Sequence, residues 1–88
     1  MKWAQTVAQY LTTSALMAIE RGLALPMHVV MISPNGVFVT ATFLAMQGKP
    51  TVHTATGDDP EWPLTFIVAD RNGDVARFVT DRPADLLH

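Results

Sequence analysis

The chain contains 88 residues and no cysteine, and its formal net charge is −2 at pH 7. A chain of this length forms a single domain, residues 1–88, and without cysteine it has neither disulfides nor thiolate metal sites. Its six Lys and Arg residues are spread singly, so they form no basic stripe for nucleic acid. No apolar run reaches the ~18 residues of a membrane span. We therefore expect a cytoplasmic protein that binds neither nucleic acid nor membrane.

Apolar content is high for so small a domain. Hydrophobic residues make up 49% of the chain and charged residues 16%, with a mean hydropathy of +0.20. Ordinary soluble domains are about 25% charged, and small domains have the most surface per residue. The deficit of charge predicts that another molecule covers part of the surface.

Trp3 to Arg21 is predicted to form a helix, because its apolar residues recur at helical spacing on one face. Gly22 and Pro26 end this helix. The opposite face carries Gln and Thr in place of Glu–Lys pairs, and Leu16 points outward. This face is either an ordinary exposed surface or a contact surface for another chain, which makes Leu16 a candidate partner-binding residue.

Met27 to Met46 is predicted to form an antiparallel β-hairpin around the turn Ser33-Pro34-Asn35-Gly36. Pro34 fits the first central position of a type I turn, and Gly36 supplies the left-handed residue of an adjoining bulge. A two-residue turn centred on Asn35 and Gly36 would place Pro34 where the strand ladder needs an N–H. We therefore expect the longer turn with its bulge.

Both faces of this hairpin are apolar, with His28, Thr40 and Thr42 as the exceptions. A sheet with one solvated face alternates apolar and polar residues, so both faces should be covered, yet one helix covers only one. We expect a second copy of the chain, in a two-fold homodimer, or another protein to cover the other face. His28 would then make association pH-dependent.

The second half of the chain is predicted to add a short strand over Thr51–Thr56 and a second hairpin. This hairpin joins Leu64–Asp70 to Asp74–Thr80, and residues 81–88 favour a short C-terminal helical turn. The predicted fold is α+β. An N-terminal helix packs on one face of a four- to five-stranded antiparallel sheet built from two hairpins, and the helical turn follows.

The second hairpin carries a recognisable pattern. Phe66 to Val75, FIVADRNGDV, couples an apolar strand to an Asp-x-x-Gly turn. It resembles the sheet hairpins of PAS-like sensor domains and of roadblock-like adaptor domains. The resemblance covers this stretch, is shared loosely by the first hairpin, and assigns no functional residue.

Asp70, Asn72 and Asp74 match the first ligand positions of an EF-hand calcium loop, and Asp81 falls at the twelfth. The sixth position is Val75, where such a loop requires glycine, and strands flank the stretch. The pattern therefore favours a hairpin turn in which the Asp70 side chain bonds the backbone.

Other chemistry-bearing residues are dispersed. His28, His53 and His88 share no metal-ligand spacing, and the glycines form no phosphate cradle. No metal or cofactor is expected. The loop from Gly57 to Pro63 is a candidate partner-binding segment unless its aromatic residue folds back into the core. Its candidate residues are Asp58, Asp59, Glu61 and Trp62.

These observations predict a small non-catalytic protein-interaction domain, an adaptor or regulator, that acts as a homodimer or in a complex. The alternative is a small-ligand sensing module whose pocket is lined by Met17, Met27, Met31 or Phe43. An enzyme with an active site at the dimer interface is less favoured, and His28 and Asp70 are its first candidates.

Overall fold

The structure is a computed structural model that describes residues 2–36, 38–45, 51–54 and 61–81. Its fold is α+β, as predicted, and residues 82–88 of the predicted C-terminal helical turn lie outside the described residues. The chain forms one helix and five strands in these residues: α1 Lys2–Glu20, β1 Met27–Ile32, β2 Phe38–Phe43, β3 Thr51–Thr54, β4 Leu64–Asp70 and β5 Val75–Thr80.

The strands form one sheet in the order β3-β2-β1-β4-β5, and every neighbouring pair is antiparallel. Both predicted hairpins, β1–β2 and β4–β5, are present. β2 ends at Phe43, earlier than the predicted Met46. Phe43 pairs with Met27, the first residue of β1, and the preceding Pro26 has no N–H with which to extend the ladder.

The two hairpin turns share one geometry, which confirms the predicted type I turn with a left-handed glycine. The N–H of Gly36 donates to the carbonyl of Ser33 at 3.1 Å, and that of Gly73 donates to Asp70 at 3.3 Å. Gly36 has φ +83° and Gly73 has φ +87°, values that favour glycine because it lacks a Cβ. Each glycine therefore fixes the register of its hairpin.

The core lies between α1 and one face of the sheet, the inner face. Alternate residues of each strand point into it, and the fully buried ones include Met31 and Phe66. α1 contributes Leu11, Ala15 and Ala18, and the buried Ser14 is a small residue in the same stripe. In the described chain, no helix is long and apolar enough to cross a lipid bilayer.

Candidate functional site: the outer face of the sheet

The outer face of the sheet, opposite α1, is a surface that the core leaves unused. It consists of the alternate residues of four strands that point away from the core: His28, Val30, Ile32, Thr40, Thr42, Thr65, Ile67, Ala69, Val75, Arg77 and Val79.

Strand register arranges the outer face in rows that run across the sheet. In the middle row, Val30 of β1 pairs with Thr40 on one side and with Ile67 on the other, and Ile67 pairs with Arg77. Cross-strand neighbours lie about 5 Å apart. The centre of the face is therefore a contiguous aliphatic surface, with threonine on one flank and Arg77 on the other.

Several large apolar side chains of the outer face are open to solvent. Ile32 is 42% exposed, Val79 57% and Val75 63%. α1 is the helix of the described chain, and it packs with the inner-face residues. Within those residues the second face has no cover, as the expectation of an external partner requires.

Charge on the outer face is sparse and of one sign. Arg77 is exposed, and His28 is exposed with its Nδ1 3.1 Å from the Thr42 hydroxyl oxygen. No acidic side chain belongs to the set. A surface of aliphatic residues and threonines offers no acid–base pair, and its chemistry suits contact with another apolar surface.

Asp70 occupies the opposite, inner side of the sheet and has a structural role. Its Oδ1 accepts hydrogen bonds from the N–H groups of Asn72 and Asp74, both at 2.9 Å. Its Oδ2 accepts from the N–H of Ala24 at 3.0 Å. The Ala24 hydrogen bond, with those from Asp74 and Asn72, lowers the pKa of the Asp70 carboxyl below its ordinary 3.8, although burial opposes this.

These bonds confirm the predicted turn, in which Asp70 bonds the backbone. Backbone amides hold both carboxylate oxygens, in place of the calcium that an EF-hand loop would bind there. The link from Asp70 to Ala24 crosses 46 residues and has no signature in the sequence. His28 and Asp70, the first candidates for an interface enzyme, point to opposite faces of the sheet, so one chain does not bring them together.

The candidate partner-binding loop is described from Glu61 onward, and Asp58 and Asp59 lie outside the described residues. Glu61 is exposed. Trp62 is half-buried against the core, and its ring meets Tyr10 edge-on at 5.7 Å between centroids. This aromatic contact matches the alternative in which Trp62 folds back, while part of its surface stays accessible.

The outward side of α1 carries a second, smaller apolar patch. Leu16 is 48% exposed, as predicted, and Met17 is 40% and Ile19 37% exposed. Met17 was expected to line an internal pocket and instead lies on the surface, because it is beyond the edge of the buried helical stripe. Met27 and Met31 belong to the packed core.

Metal-binding side chains do not gather in the described part of the chain. There, no group of three His, Asp or Glu residues could hold a metal ion. His53 belongs to β3, where the structure describes the backbone only, and His88 lies outside the described residues.

Comparison with known proteins adds no assignment. No protein-family model, curated protein or solved structure matches the chain. The geometry of the outer face therefore carries the functional argument.

Proposed function

We propose that this chain is a small non-catalytic protein-association domain that works as a homo-oligomer by burying the outer face of its sheet against a second copy of itself. The observation that supports the proposal is the exposure of Ile32, Val75 and Val79 on a sheet face that no described element covers. The four strands of the outer face have six or seven residues each and span about 19 Å by about 20 Å. The contiguous aliphatic surface lies at the centre of this area, and exposed apolar surface on a small domain often marks an interface.

The arrangement of charge is compatible with self-association. If the two-fold axis runs parallel to the strands, between β1 and β4, then β5 of one copy lies over β2 of the other. Arg77 then faces Thr40, its counterpart in the same row. An axis across the strands would place the two Arg77 side chains together, so the first packing avoids the like-charge contact.

The test is the molar mass in solution, measured by light scattering after size exclusion over a hundredfold range of concentration. We expect the wild type at a multiple of 9.6 kDa and the Ile32→Lys variant at half the wild-type mass. A lysine buried in this interface meets no acidic side chain of the outer face, and an unpaired buried charge costs about 3 kcal/mol. Each dimer would bury two such lysines, at a total cost of about 6 kcal/mol, so the dissociation constant should rise by about ten-thousandfold.

A matched control uses the helix patch. Leu16 is 48% exposed and Ile32 is 42% exposed, but they lie on opposite sides of the molecule. Leu16→Lys should leave the mass unchanged. A wild type that is monomeric at every concentration would refute the proposal. If Leu16→Lys dissociates the protein and Ile32→Lys does not, the interface lies on α1 and not on the outer face.

A further inference from the structure

The free edge of β5 is a second surface that the fold leaves unpaired within the described residues. β5 is the last strand of the sheet order. The N–H of Asp70 donates to the carbonyl of Asp74 at 3.0 Å, which fixes the alternation along this antiparallel pair. The even-numbered residues of β5 bond to β4, and the backbone groups of Val75, Arg77 and Val79 point away from it.

The two edges of the sheet differ in how well they are protected against pairing with a strand of another molecule. β3 has four residues, and the register between β2 and β3 shifts at Thr40 and Ala41. Short edge strands and bulges are common devices against edge-to-edge pairing. β5 has six residues, holds one unbroken register with β4 and contains no proline. β5 is therefore the edge that is open to another strand.

Charge selects the register in which β5 would meet a second β5. Two copies related by a two-fold axis pair these strands antiparallel. A register centred on Arg77 places two guanidinium groups directly opposite each other, which is destabilising. A register centred on Val79 places Arg77 opposite Asp81, the exposed residue that directly follows β5. That register forms an opposite-charge pair on each side of the axis.

We propose that two copies of the chain join through the free edges of their β5 strands, with Val79 at the two-fold axis and Arg77 of each copy opposite Asp81 of the other. The result is one continuous sheet of ten strands, five from each copy. Its outer faces form a single surface. This pairing does not depend on whether the outer face associates.

A proline substitution tests the backbone pairing. The N–H of Val79 points away from β4, so Val79→Pro removes an edge donor and leaves the β4–β5 ladder intact. This variant should lose the edge contact and halve the mass, with the far-UV circular dichroism of the wild type. Val79→Ala shortens the same outer-face side chain but keeps the N–H, so the proline variant should have a lower mass than the alanine variant. An unchanged mass for Val79→Pro would overturn the proposal.

A charge exchange tests the register without a change in the backbone. Arg77→Asp and Asp81→Arg each turn two cross-strand attractions into repulsions and should raise the dissociation constant about tenfold. The double variant restores opposite charges and should recover the wild-type value. Arg77 and Asp81 are too far apart along one strand to pair within a single copy. Singles without effect, or a double variant no better than the singles, would overturn the register.

The outer-face variant separates the two proposals. If both interfaces form, the wild type grows beyond two chains as the concentration rises, because the two β5 edges of a face-to-face dimer lie at opposite ends and each can pair with a further copy. Ile32→Lys and Val79→Pro should then each give two chains. A second case is a dimeric wild type from which Ile32→Lys remains a dimer and Val79→Pro becomes a monomer. That result supports pairing through β5 and refutes association through the outer face. The reverse pattern overturns the edge proposal.

Discussion

Val29 and Val30 are neighbours in β1 with opposite environments, and the same substitution at each measures how the two faces differ. Val29 is fully buried on the inner face, and Val30 is half-buried on the outer face. Threonine has nearly the shape of valine, but it replaces one methyl group with a hydroxyl. We expect Val29→Thr to be strongly destabilising and Val30→Thr to be nearly neutral.

The expected loss in the free energy of unfolding follows from what each side chain buries. At Val29 the change removes a buried methyl group, worth about 0.8 kcal/mol, and buries a hydroxyl at a further cost of about 1–3 kcal/mol. The total is about 2–4 kcal/mol, a large part of the roughly 4–13 kcal/mol expected for a domain of this length. The outer face already carries Thr40 and Thr42, so Val30→Thr should stay within about 0.5 kcal/mol.

The assay is thermal unfolding followed by circular dichroism, with the protein at two concentrations a hundredfold apart. Val29→Thr should lower the Tm by about 10–25 °C at both concentrations. Any loss for Val30→Thr should grow with concentration, because association buries the part of that side chain that is exposed in the single chain. Equal losses at the two sites, independent of concentration, would refute the reasoning and show that the chain itself covers its outer face.

Two further predictions concern titration. Asp70 has a lowered pKa in the folded state, so its contribution to stability is present above the ordinary value of 3.8 and is lost as the pH falls through the folded pKa. Asp70→Asn should lower the Tm at pH 7, and urea or thermal titrations should show the gap to wild type closing below pH 3.8; a gap that persists in acid would contradict the role of the charge. If His28 makes outer-face association pH-dependent, acid should weaken that association, because Arg77 is the other charged group of the face and no acidic residue belongs to it. The molar mass of His28→Ala, measured by light scattering, should then not change with pH. A wild-type pH dependence of the mass in that variant would contradict the hypothesis.

The turns and hairpins were predictable because their constraints are local. Pro34 restricts the backbone of the first turn and Gly36 supplies its left-handed residue. Asp70 and Gly73 form a turn of the same geometry in the second hairpin. The helix α1 and the class of the sheet follow from periodicity in the same way. The predicted ends of the strands were less accurate, as the end of β2 at Phe43 shows. A strand ends where the neighbouring strand offers no further backbone hydrogen-bond partners, and this depends on the neighbour.

Strand order and the choice of inner face were not predictable from local pattern. Val29 and Val30 have the same side chain, so alternation defines two faces of β1 without indicating which is buried. That choice depends on the β1–β4 pairing and on α1, which are long-range contacts. The hydrogen bond from the Ala24 N–H to the Asp70 carboxylate could not be predicted from the sequence either, since every residue except proline has a backbone N–H.

The junction between β1 and β4 has a consequence for the order of folding events. Each hairpin closes a four-residue turn, but β1 meets β4 through pairs such as Val29 with Val68, which lie far apart in the chain. The loop entropy of that closure must be overcome before these contacts contribute. The hydrogen bond from Ala24 to Asp70 lies at one end of the junction, beside the Met27–Asp70 pair. This hydrogen bond forms only when the two halves of the chain are joined, so we expect it to form after each hairpin has closed.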